Sequence, residues 1–128
     1  RSPSRGLGDV YKRQESGGTY GIIEDFVGHG IGTQMHMAPD VLNYRARDLG
    51  PKLKPGMALA IEPMLVTGST ETVTLDDDWT VKTVDGSHAS QWEHSVAFHR
   101  DGIWVLTAED GGASELGPLG VTVAPIPD

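Results

Sequence analysis

Hydrophobic and polar residues alternate with a period of two through much of this chain, and almost nowhere with the period of a helix. Residues 90–98 (SQWEHSVAF) are the clearest case, with Trp92, His94, Val96 and Phe98 on one face and Gln91, Glu93, Ser95 and Ala97 on the other. Residues 57–66 (MALAIEPMLV) form an apolar run long enough for a buried strand, entered through the turn residues Lys54-Pro55-Gly56. Residues 71–75 and 79–84 are expected to pair as a hairpin around the acidic tip Asp76-Asp77-Asp78. A second hairpin is expected at Arg100-Asp101-Gly102, returning the chain into residues 103–107. Residues 19–27 (TYGIIEDFV) hold short β-prone pieces that run into a glycine-rich stretch over 28–36, and residues 40–44 are a candidate turn of helix. These elements predict a mainly antiparallel sheet. Beyond Ala108, glycine, proline and small residues predominate, and 109–128 is expected to be a flexible tail with little to anchor it.

Composition narrows the chemistry. The 128 residues include no cysteine, which excludes disulfides, thiolate zinc sites, iron–sulfur clusters and a cysteine nucleophile. Any metal must be held by histidine and carboxylate. The 18 Asp+Glu outweigh 10 Lys+Arg, a net charge of −8 that argues against a nucleic-acid surface. No apolar run approaches the roughly 20 residues of a membrane span. The cations are unevenly placed: Arg1, Arg5, Lys12 and Arg13 all fall within residues 1–14, beside a single acid, Asp9. That opening, RSPSRGLGDVYKRQ, has no structural periodicity and no initiator methionine. It resembles translated cloning sequence more than a natural basic tail, so 1–14 is expected to be a non-native or disordered leader.

Two glutamates stand out against this background. Glu62 interrupts an apolar run, on the face of Ala58 and Ala60 and opposite Met57, Leu59, Ile61 and Leu65; Glu93 lies opposite the face of Trp92, Val96 and Phe98. An uncompensated carboxylate in such a setting costs several kcal/mol or more. Lysine and arginine are scarce in both flanks, which makes a metal ion the better partner. His29, between glycines in GHGIG, and His36, in TQMHMAP, add imidazoles suited to a divalent metal or a proton relay. One histidine with two glutamates suits manganese, iron(II), cobalt or zinc. Plainer readings compete for each residue alone. A glutamate in a strand is often an edge or salt-bridged group, and His29 could be an ordinary hydrogen-bonded loop histidine. His88, His94 and His99 read as surface or supporting groups, Trp79 and Trp92 as core, and 76–78 as a solvated tip.

Taken together and in order, GHGIG at 28–32, MHMAP at 35–39, KPGMALAIEPM at 54–64, WTVKT at 79–83 and SQWEHSV at 90–96 strongly resemble the C-terminal half of type I methionine aminopeptidases. The likeness spans roughly residues 16–106. It implies an α+β fold class, the C-terminal half of a pita-bread (creatinase/aminopeptidase) fold over residues 15–108, mainly antiparallel sheet in this part. It further implies a dinuclear centre holding two divalent metal ions (Co, Mn, Fe or Zn), with His29 and Glu62 as ligands and Glu93 bridging both. His36 matches the catalytic histidine that hydrogen-bonds the substrate amide and the tetrahedral intermediate. Trp79 and Met35 match the borders of the methionine side-chain pocket, although Met35 stands where bacterial relatives commonly carry phenylalanine.

The implied activity is removal of methionine from nascent polypeptide N-termini, where a small residue follows. The implied setting is the cytoplasm, with the ribosome as a partner, a monomeric parent enzyme, and no nucleic acid or membrane involved. The family draws two aspartate ligands and another histidine from its first half, which these motifs do not include. The chain as written is therefore expected to bind metal weakly and to be inactive. Alternatives are an Xaa-Pro dipeptidase or aminopeptidase P-like hydrolase, which typically continues the first glutamate as Glu-Pro-Gly where this chain has Glu62-Pro63-Met64, and a non-catalytic pita-bread protein-binding module.

Overall fold

The structure, a computed structural model, describes residues 20–128; the expected leader lies outside the described residues. Ten short strands follow one another: β1 (Gly21–Ile22), β2 (Gly28–Ile31), β3 (Met37–Val41), β4 (Ala58–Ile61), β5 (Met64–Val66), β6 (Thr72–Thr74), β7 (Val81–Thr83), β8 (Ala89–Gln91), β9 (His94–His99) and β10 (Gly102–Val105). One helix of four residues, α1 (Ala113–Leu116), and a 3-10 turn (Gly117–Leu119) close the described chain. The strands form a five-stranded sheet in the order β10-β9-β4-β2-β3, a three-stranded sheet β1-β5-β8, and the ribbon β6-β7. Every pairing of strands is antiparallel, as the alternation predicts.

The two longest apolar runs each divide where one strand was expected. Residues 57–66 become β4 and β5, in different sheets, broken at Glu62-Pro63. Proline has no N–H to donate to a ladder, so a strand cannot pass through it unbroken. Residues 90–98 likewise become β8 and β9, broken at Trp92-Glu93. The breaks face each other: Ile61 pairs with His94 on one side and Met64 with Gln91 on the other. The Trp92 N–H donates across the break to the Pro63 carbonyl at 3.3 Å. Two neighbouring strands therefore cross together from the larger sheet to the smaller one.

Two local expectations are corrected, and one stretch left unassigned is resolved. Residues 28–31 of the glycine-rich stretch are the strand β2, and Val41 ends a strand where a turn of helix was expected. Trp79 and Trp92 are 87% and 71% exposed, not core. Trp92 escapes burial because the break at 92–93 shifts the phase of alternation. The hairpin β6-β7 forms as expected. Its tip is exposed, and Asp77 organises it by accepting from the N–H groups of Trp79 (3.1 Å) and Thr80 (2.8 Å).

The core is centred on Val41 and Leu59, with Leu53, Ile61 and Phe98 packed against them. Leu59, on the central strand β4, is completely buried. Residues 109–128, expected to have little to anchor them, are tied to the sheet edge. Val123 bridges Ile103 in parallel, the Ile103 N–H donates to the Thr122 carbonyl, and the Ala124 N–H donates to Ile103. His99 Nε2 donates to the Ala124 carbonyl at 2.9 Å.

Leu59→Ala is expected to lower stability by about 2–5 kcal/mol, read from a denaturant midpoint. A second prediction concerns the loop after β7. The Ser87 hydroxyl beside Asp85 and the N–H groups of Ser69 and Ser87 favour its charged form and hold its carboxyl down at about 2. A depressed carboxyl contributes stability above its ordinary value and loses it as pH falls through the folded value. Amide protons of Ser69 and Ser87 should therefore lose protection from hydrogen exchange as pH falls from 3.8 through about 2. In Asp85→Asn that pH dependence should vanish.

Candidate metal centre

His29 lies on β2, between β3 and β4 in the five-stranded sheet. Its neighbours on either side must be glycine for the strands to close around it. A Cβ at Gly28 would run into the Ala60 carbonyl and press on Val41, and one at Gly30 would run into the Ala38 carbonyl. The β2–β3 register also slips between His29 and Gly30. Such a bulge re-aims a side chain next to a site. His29 Nδ1 donates to the Gly30 carbonyl at 2.9 Å, which leaves Nε2 free to face the centre.

Glu62 and Glu93 come from the two facing breaks. At a break the side chain is released from strict up-and-down alternation, and both carboxylates reach the same point as His29. One donor atom from each of His29, Glu62 and Glu93 lies within 4.8 Å of the other two. His29 Nε2 is 3.1 Å from Glu62 Oε1. Gln91 Nε2 donates to Glu62 Oε2 and to Glu93 Oε2, both at 3.4 Å, and so spans the two carboxylates. Burial, and then the neighbouring Glu93 charge, push the Glu62 carboxyl above its ordinary value, while His29 and Gln91 oppose the shift.

The donor set itself fits a divalent ion. With Nδ1 held by the Gly30 carbonyl, His29 turns Nε2 towards a carboxylate oxygen 3.1 Å away. Two acceptors so close repel unless a proton or a cation lies between them. Orientation of a ligating histidine by its other ring nitrogen is the usual supporting arrangement of metal sites. Three hard-to-borderline donors converging in this way can bind a divalent metal.

The other expected site residues divide into two groups. His36 joins the centre, its ring centroid 4.4 Å from that of His29 and tilted by 54°. Met35, 71% exposed, and Trp79, at the tip of the β6-β7 hairpin and 87% exposed, lie open to solvent. A cavity of about 290 Å³ is present beside β3, lined by Asp40, Tyr44, Leu49 and Leu53 among others, and none of the centre's donors lines it. One contributor escaped sequence reasoning. Gln91 shares a face with Glu93 at a spacing of two, a signal that could have found it.

Residues 7–99 match the model of the family described as Metallopeptidase family M24. The chain belongs to that family. Methionine aminopeptidase 1 of Mycobacterium tuberculosis is 55% identical over 91 residues, which cover 71% of this M24 chain and 34% of the relative. Methionine aminopeptidase of Haemophilus influenzae is 39% identical over 109 residues, 85% of this chain and 41% of the relative. The crystal structure of methionine aminopeptidase from Rickettsia prowazekii superposes with a TM-score of 0.72 at 33% identity, over 84% of this chain and 43% of that one. The enzyme from Thermotoga maritima gives 0.68 at 41% identity, over 80% and 43%. The described sheets are thus part of a pita-bread fold, and the chain spans about a third to two fifths of the curated relatives' length. Membership of a metallopeptidase family implies divalent metal ions.

Gly28→Ala is expected to force β2 from β4 and to move the His29 ring. A fall in the thermal midpoint, together with a shifted His29 ring resonance in NMR, checks this; an unchanged midpoint would show that the strands part freely.

Proposed function

We propose that this chain is part of a metal-dependent aminopeptidase that removes the N-terminal methionine from nascent proteins in the cytoplasm. The observation that carries the reading is the convergence of His29, Glu62 and Glu93, in a chain with 55% identity over 91 residues to a methionine aminopeptidase. These three residues would hold two divalent ions, with Glu93 shared between them. Cobalt, manganese, iron and zinc all suit the donors. Bound there, the ions would act as Lewis acids on the scissile carbonyl and lower the pKa of a water.

The chain's own residues do the rest. Gln91, donating to both carboxylates, keeps them aimed at one point, and the Gly30 carbonyl keeps the His29 ring in one orientation. His36, with its ring against His29, would donate a hydrogen bond to the substrate as negative charge develops on its carbonyl oxygen. Met35 and Trp79 would border the methionine side chain, as flexible and flat apolar walls respectively. The substrates would be nascent polypeptides beginning with methionine and a small residue, delivered at the ribosome.

Dialysis against Mn²⁺ or Co²⁺ should show weak uptake by the 128-residue chain. His29→Ala, Glu62→Gln and Glu93→Gln should each lower that uptake about tenfold or more. Uptake indifferent to all three would overturn the centre. The 128-residue chain should not release methionine from Met-Ala-Ser, because the family's two aspartates and second histidine are not among its motifs. A longer product carrying them ahead of residue 15 should release it, and Glu93→Gln should abolish that release. Turnover by the 128-residue chain alone would show that three ligands suffice.

A further inference from the structure

We propose that Asn43 is a positioning residue for the centre: its buried amide ties the Glu62 break to the chain segment leading into His29. The proposal rests on the reading of Glu62 and His29 as metal ligands. Asn43 is completely buried, beside the Val41 end of β3. A polar side chain in such a place is costly unless its donors are used. Both are used. Nδ2 donates to the Phe26 carbonyl at 3.3 Å and to the Glu62 carbonyl at 3.4 Å, while Oδ1 has no hydrogen-bond partner among the described residues.

The choice of acceptors carries the argument. Glu62 belongs to neither β4 nor β5, and Phe26 lies in the loop between β1 and β2, so both carbonyls fall outside the named strands. A buried carbonyl without a ladder partner needs a donor from elsewhere. Asn43 supplies one to each, reaching 17 residues back to Phe26 and 19 forward to Glu62. The backbone that carries Glu62 is thereby tied to the backbone three residues ahead of His29. Strand pairing already joins His29 to Ala60, so the amide adds a second tie beyond the end of that ladder. Donor atoms of a metal site must be held to within a few tenths of an ångström. A purely packing role would be served better by leucine, which fills similar space without an unpaired oxygen.

Binding of Co²⁺ to the 128-residue chain, followed by visible absorption, tests the assignment. Asn43→Ala and Asn43→Leu should weaken Co²⁺ binding about tenfold and alter the absorption band. Val41→Ala opens a hole in the same core and removes neither of these hydrogen bonds. It should lower the thermal midpoint yet leave affinity and band unchanged. In the wild-type chain the Asn43 side-chain NH₂ resonances should shift on addition of Zn²⁺, a readout that needs no variant to fold. Unshifted resonances would overturn the proposal. So would an Asn43 variant with wild-type affinity and band, or a Val41→Ala loss as large as that of Asn43→Ala. If Glu62→Gln binds Co²⁺ as the wild type does, or the wild type takes up none, the metal reading itself fails. If Glu62→Gln loses Co²⁺ and the Asn43 variants do not, only the positioning role fails.

Discussion

Two carboxylates held against each other need something positive between or beside them, and the site described here is organised around that electrostatic demand. Glu62 and Glu93 repel, and Glu62 is also partly removed from water. In an unconstrained chain the two side chains would simply swing apart. Here β4 pairs with β9 before the breaks and β5 with β8 after them, so the backbones on both sides are fixed. The repulsion must then be met locally, by the imidazole of His29, the amide of Gln91 and, when present, a cation. At short range and reduced dielectric such terms are far larger than at an open surface.

The same pairing explains which parts of the fold were legible in sequence. Period-two alternation located β9 and the apolar run located β4 and β5, though neither signal marked β2 or β3. The turn residues located the β6-β7 and β9-β10 hairpins, because these signals are local. The sheet switches were not local. Pro63 is a visible breaker, but nothing in residues 90–98 announces a break at 92–93; it is imposed by the neighbouring strand, which has already turned away at Glu62-Pro63. Once the phase is lost there, Trp92 faces solvent although alternation put it with Val96 and Phe98. The three donors were nevertheless legible as residues, since a glutamate in an apolar run and a histidine between glycines are locally conspicuous. Asn43 was not, because its importance comes from two carbonyls far away in sequence.

The glycines around His29 show how the strand geometry and the chemistry depend on each other. With Gly28 and Gly30 on either side of His29, β3 and β4 close on β2 to distances that no Cβ would permit. The β2–β3 register slips just after His29, and the His36 ring lies against the His29 ring.

Burial is uneven among the expected site residues: Glu93 and His36 are exposed, as Met35 and Trp79 are, while His29 and Glu62 are not. His29 and Glu62 are mostly shielded, with side chains 12% and 15% exposed, whereas Met35 and Trp79 are 71% and 87% exposed. Recognition of a methionine side chain depends on enclosing it between apolar walls, since the gain comes from the area removed from water. Side chains that stand open to solvent give no such enclosure by themselves. The described residues thus bring three candidate donors together while Met35 and Trp79 stay open to solvent. That division is intelligible for a chain aligned with 34–43% of its relatives' length: donors set by paired breaks in two adjoining sheets need only local backbone, while a pocket needs surfaces contributed from several sides.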